Sequence, residues 1–170
     1  MEQIMWSAIK KFFFSYPAQE KVAKLILKYG LSVKNGKIYC EDIEIPSIRI
    51  SKSLGVDRRV INSTIETISK NKELKEFFQE LHPVPFFRDI AKIRDWGVVE
   101  IVPADPSMTG ILANVSKIIA DSGISIRQAI TEDPEFSEEA TLIIICEKEI
   151  PASIIPKIRK VEGVTKVIIQ

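Results

Sequence analysis

The chain has 170 residues, of which 45% are hydrophobic and 28% charged, with a formal net charge of +1. That length allows one large or two small domains, and the apolar share supports a buried core and argues against disorder. No apolar run reaches the roughly 18 residues of a membrane span, no secretory leader is visible, and Cys40 and Cys146 lie too far apart for metal-ligand spacing, so a cytoplasmic protein with free thiols and no cofactor is expected.

Near-neutrality speaks against a nucleic-acid binder only if charge is evenly spread, and it is not. Lys and Arg outnumber Asp and Glu 17 to 12 over residues 1–95, whereas over 96–170 they are outnumbered 11 to 7. The apolar pattern changes at the same place. Before it, Ile4, Ala8, Ile9, Phe12 and Phe13, then Val22, Leu25, Ile26 and Tyr29, recur at helical spacing. After it come β-branched runs, 98–102 and 141–145, alternating with helical stretches. Pro83 and Pro85 between them cannot continue a helix. The expected division is a helical domain over 1–81, a linker helix within 82–95 (residues 86–93) and a second domain over 96–170.

In the first half a helix is expected from Glu2 to Phe14, and a second from Pro17 to Gly30. Asn35-Gly36 is a two-residue hairpin signal between Leu31–Lys34 and Lys37–Cys40, so a small hairpin or wing falls within 32–45. The stretch from Pro46 to Ile68 is the most informative. A short helix ends at Leu54, and Gly55 can adopt the left-handed backbone of a tight helix–helix turn. Val56 then fills the space between helices and Asp57 caps the next one. Ile61, Ile65 and Ile68 form a buried stripe, with Arg58, Arg59, Asn62, Ser63 and Glu66 on the other side. This pattern resembles a helix-turn-helix, whose second helix enters the DNA major groove. On that reading Arg58 and Arg59 contact guanine or phosphate, Asn62 pairs with adenine, Ser63 lies beside them, and Arg49 and Lys52 hold the backbone. The cluster Phe12-Phe13-Phe14 reads as core or dimer contact, and His82 as a surface or hinge residue.

The second half reads strand (97–102), helix (110–121), strand (124–131), acidic loop (132–138), strand (140–147), helix (152–160) and strand (164–169). Ile111, Leu112, Val115, Ile118 and Ile119 form the inner face of the first helix. A β-α-β-β-α-β order predicts a four-stranded antiparallel sheet with both helices on one face, of ferredoxin-like type. The fold class is therefore α+β. No nucleophile, metal, Walker or dinucleotide motif appears, so a non-enzyme is expected.

Asp105 in the first loop, Gly110-Ile111-Leu112 at the helix start and Gly123-Ile124-Ser125-Ile126 entering the second strand resemble an ACT domain over residues 96–170. The longer pattern adds 54–60, 86–91 and 126–134, and is similar to an archaeal family of predicted regulators of amino acid metabolism that join a helix-turn-helix to a C-terminal ACT domain. The resemblance implies a homodimer or higher homo-oligomer formed through the ACT domain, and a small-molecule effector, an amino acid, bound near the first loop. It places Asp105, Met108, Thr109, Gly110, Ile111, Leu112 and Gln128 at that site. Asp105 would take a ligand ammonium, the Gly110 helix start its carboxylate, and Gln128 would come from strand two. The loop between Asp105 and Gly110 is longer than the family's compact form. Two functions remain open: an amino-acid-responsive DNA-binding regulator without membrane contact, or an effector-sensing subunit that docks on a biosynthetic enzyme through Phe12, Phe13, Phe77, Phe78, Phe86 and Phe87.

Overall fold

The computed structural model describes residues 5–134, 136–137 and 139–170, and the chain divides into two units, Met1–Pro85 and Phe86–Gln170. The expected helix start at Glu2, and Glu135 and Glu138 of the acidic loop, lie outside the described residues. The architecture is α+β. Among the described residues no helix is long and apolar enough to cross a membrane.

The first unit opens with α1 (Met5–Lys10), which tightens into a 3-10 turn at Lys11–Phe13 rather than running on to Phe14. Helix α2 (Pro17–Lys28) starts on the proline, as a residue without an amide donor favours, and buries Val22, Ala23 and Ile26. The expected hairpin is a three-stranded antiparallel meander: β1 (Ser32–Lys34), β2 (Lys37–Cys40) and β3 (Ile43–Ile45). Asn35 (φ 51°) and Gly36 (φ 73°) both have positive φ, the geometry of the tight turn between twisted strands. A second reversal turns on Glu41 (φ 52°), which carries no glycine signal and so leaves β3 invisible to turn chemistry.

Helices α3 (Ser47–Leu54) and α4 (Arg58–Lys70) follow. Asn71 then leaves helical geometry at φ −99° and ψ 121°, and its side chain accepts a hydrogen bond from the Leu74 amide at 3.1 Å. One residue thus ends α4 and caps α5 (Lys72–Gln79), a helix beyond those expected from the sequence. Leu74 and Phe78 of α5 join Phe13, Val22, Ile26, Ile38, Ile61 and Ile68 in one core. The chain leaves this unit across Gly30 (φ 59°), where an added Cβ would sit 2.3 Å from the His82 carbonyl oxygen. Only glycine fits that approach.

The second unit begins with the segment 86–97, which contains α6 (Arg88–Ala91) and not the longer helix expected over 86–93. The sheet has β4 (Val98–Pro103), β5 (Ile126–Thr131), β6 (Leu142–Cys146) and β7 (Val164–Ile169) in the order β5-β6-β4-β7, all antiparallel. On one face lie α7 (Ile111–Asp121) and α8 (Ile155–Arg159), whose Val115, Ile119 and Ile158 pack on Val99, Ile101 and Ile144. Pro156 has no amide proton for a longer helix. The expected helix over 152–160 is therefore a 3-10 turn, Ala152–Ile154, followed by α8 with its proline in the first turn. The opposite sheet face is covered too: Val98, Ile143 and Ile145 pack against Ala91, with Phe87 and Trp96 beside them.

Cys146 of β6 is fully buried in the core with Val115 and Ile119 of α7, and desolvation pushes its thiol up to about 11. Unfolding would return that thiol to an ordinary value of 9.0. The neutral form is favoured in the fold, so this contribution to stability is present below pH 9 and fades as pH rises from 9 towards 11. Alkylation with iodoacetamide at pH 8 should modify the partly exposed Cys40 first and reach Cys146 only after denaturant is added, as peptide mass mapping would show.

Candidate functional site

Helix α3 ends at Gly55, whose left-handed backbone (φ 64°, ψ 33°) returns its amide to the Ser51 carbonyl. The Val56 amide reaches the same oxygen at 3.1 Å. The chain then turns to Asp57, whose Oδ1 accepts the Arg59 amide at 2.7 Å and so caps α4. Val56 packs into the core beneath the turn. On the inner side of α4, Ile61, Thr64, Ile65 and Ile68 are buried. The Thr64 hydroxyl donates to the Val60 carbonyl at 2.7 Å, which lets a polar residue occupy the stripe that spacing had assigned to isoleucines alone.

Arg58, Arg59 and Asn62 are exposed on the first turns of α4, with Arg49 and Lys52 exposed on α3. Ser63 is half-buried, and its carbonyl accepts from the Thr67 hydroxyl at 2.9 Å. The Arg59 side chain is 93% exposed with its Nε 3.7 Å from Asp57, a contact of little energetic weight at such exposure. Arg49, Lys52 and Arg58 have no ionic partner among the described residues. Further along the same helix Lys70 bonds Glu66 at 2.5 Å and lowers its pKa, so an anion sits one turn beyond Asn62. Two arginines, one of them 3.7 Å from Asp57, thus stand exposed at the helix start beside an amide-bearing Asn.

The residues nominated for an effector separate. Met108, Gly110, Ile111 and Leu112 line a cleft of about 110 Å³, small beside the roughly 300 Å³ or more of sites for drug-sized molecules. Leu112 was expected on the inner face of α7 but is 41% exposed, because it turns to this cleft. Asp105 and Thr109 are exposed and not part of its lining. Asp105 is occupied within its own loop: its Oδ1 accepts the Ser107 amide at 2.8 Å and the Ser107 hydroxyl at 2.7 Å, which lowers its pKa.

Gln128 faces the other way. The β5–β6 pairing slips at Arg127, so that Ile126 lies opposite Cys146 and Gln128 opposite Ile145. One inserted residue transfers every later side chain to the other face. Gln128 therefore lies on the side away from α7, where its Oε1 accepts the Phe87 amide at 3.1 Å. Arg127 at the bulge stacks 4.1 Å from the Trp96 ring. In place of Gln128 and Asp105 the cleft has Thr131, Glu132 and Thr141, which sequence spacing gave no reason to join.

Of the six aromatic residues considered for protein docking, Phe13 and Phe78 are fully buried, Phe12 and Phe77 pack against the first core, and Phe87 packs against the second sheet. Phe86 alone of the six is exposed. No protein-family profile matches the chain, and comparison with curated proteins gives no match.

Removing the Asp57 cap should leave the Arg59 amide without its side-chain acceptor. Asp57→Ala is expected to cost about 1 kcal/mol, read as a lower urea midpoint at unchanged slope.

Proposed function

We propose that the chain is an amino-acid-responsive transcriptional regulator without catalytic activity, in which the first unit binds DNA and the second senses the effector. The observation that carries this reading is the exposed trio Arg58, Arg59 and Asn62 at the capped start of α4, one tight turn after α3. A helix presented by such a turn can enter the major groove. There the two arginines meet guanine or phosphate oxygens, Asn62 meets adenine, and Arg49 and Lys52 meet the backbone. Glu66, one turn further on, is paired with Lys70, which offsets its charge on this face.

The β-α-β-β-α-β connectivity, the β5-β6-β4-β7 order and the pairing of α7 and α8 on one sheet face support a ferredoxin-like, ACT-type module for the second unit. Such a module dimerises, and an effector then acts by binding one arrangement of the paired DNA-reading helices better than the other. Docking on an enzyme without DNA contact draws no support from the aromatic residues, since five of the six are committed to the cores.

Fluorescence anisotropy with the DNA upstream of the chain's own coding sequence tests the first half of the proposal. Binding should weaken with salt, and Arg58→Ala with Arg59→Ala should weaken it at least tenfold and flatten the salt dependence by about one unit of log–log slope per lost phosphate contact. No binding at low salt, or an unaffected double variant, overturns it. A thermal-shift screen of the twenty amino acids tests the second half. An effector at 100 times its dissociation constant should add about 2.7 kcal/mol of stability, and no shift with any of them removes the sensing role.

A further inference from the structure

We infer that Glu132 is the recognition residue of the α7 cleft and that it takes the ammonium group of a small apolar ligand within a single chain. The inference rests on the effector reading but assigns the charge-reading role to a residue that the family pattern did not nominate.

The cleft opens between the loop that follows β4 and the facing ends of β5 and β6. Its walls are mostly apolar, with Pro103, Pro106, Met108, Leu112 and Leu142. Met108 is held in place because its sulfur occupies the space where Gly163 has no side chain. Among the described residues of the lining, Glu132 is the carboxylate that stands against these walls. The Thr141 amide and hydroxyl donate to Glu132 Oε2 at 3.1 and 2.8 Å, and the Glu132 amide donates to the Thr141 carbonyl at 2.9 Å. Those bonds fix the position of the carboxylate. Glu132 Oε1 accepts no hydrogen bond, and no cation pairs with the side chain, among the described residues.

A fixed, half-buried carboxylate with one open oxygen, set in an apolar cleft, favours a compact cation with an apolar body. Asp105 cannot serve in the same way, because its carboxylate is turned into its own loop and lies outside the cleft lining. The cleft's volume of about 110 Å³ limits the ligand to a short side chain. An α-amino acid and a simple amine share this chemistry, and the two are told apart by whether a carboxylate adds to binding.

Calorimetric titration of the full chain with L-valine, isobutylamine and isobutyrate tests the inference. Valine and isobutylamine should bind and isobutyrate should not; tighter binding of valine than of the amine identifies the amino acid as the natural class. Glu132→Gln, which keeps an acceptor for Thr141, should weaken both amines roughly ten- to hundredfold, while Asp105→Asn leaves them unchanged. Leu112→Phe, at a partly exposed position in the cleft wall, should block the cleft and abolish binding with the carboxylate intact. Binding that survives Glu132→Gln and is lost in Asp105→Asn overturns the assignment but leaves the effector reading standing. Binding of isobutyrate, or no binding of either amine, also overturns it. The DNA-binding measurement is independent of all these outcomes.

Discussion

A carboxylate sits in the middle of a central strand, and much of the second unit is arranged around that fact. Glu100 of β4 is only 6% exposed, on the sheet face away from α7 and α8. Burying such a group is costly unless charge and hydrogen bonds are returned to it. Arg88 and Gln170 supply both, the latter donating from Nε2 at 2.5 Å. Because Arg88 belongs to α6, the segment 86–97 is held against the sheet, and Ala91, Phe87 and Trp96 come to cover Val98, Ile143 and Ile145. Removing Arg88 would leave Glu100 buried with only the Gln170 amide to compensate its charge, a larger effect than losing any of the exposed ion pairs.

The same covering segment decides what the sheet can offer on its other side. Phe87 takes the Gln128 carboxamide and Trp96 takes Arg127, so the bulge in β5 is held by the segment as well as by its own ladder. Beyond the bulge, alternate residues of β5 return to the α7 side, which brings Thr131 to the cleft with Glu132 just past the strand end. The first unit is organised more locally. Its tight turns at Asn35-Gly36 and Gly55 and its caps at Asp57 and Asn71 each join elements adjacent in sequence.

That difference explains what could be read from the sequence. Local devices announce themselves: Asn-Gly between apolar runs, Gly followed by a capping Asp, Pro at a helix start, and isoleucines at three- and four-residue spacing. The α3–α4 pair, the first hairpin and the chain order of elements in the second unit were legible for this reason. Helix α5 was missed because a single Asn both stops and starts a helix, leaving no Gly or Pro to mark the break. Strand β3 was missed because Glu41 adopts a left-handed turn without the usual residue. Gln128 was placed on the wrong face because a bulge shifts phase without changing composition. Glu132 and Thr141 are brought together by strand pairing across the loop, and nothing in the one-dimensional pattern links them.

The position of β4 in the sheet also sets an order of events. It is the first strand of its unit in sequence, yet its neighbours are β6 and β7, the last two. As the chain emerges from the ribosome, the meander and α3–α5 can close on nearby partners, while β4 has none until the final strands appear. Contacts between distant parts of a chain form slowly and expose apolar edges in the meantime. The first unit can therefore be complete before the second exists. The run Val98-Val99-Glu100-Ile101 spends that interval uncovered, with Glu100 its one charged residue. A carboxylate that must be neutralised by Arg88 in the finished fold thus also interrupts an apolar strand during the time when it is most prone to pair with another copy.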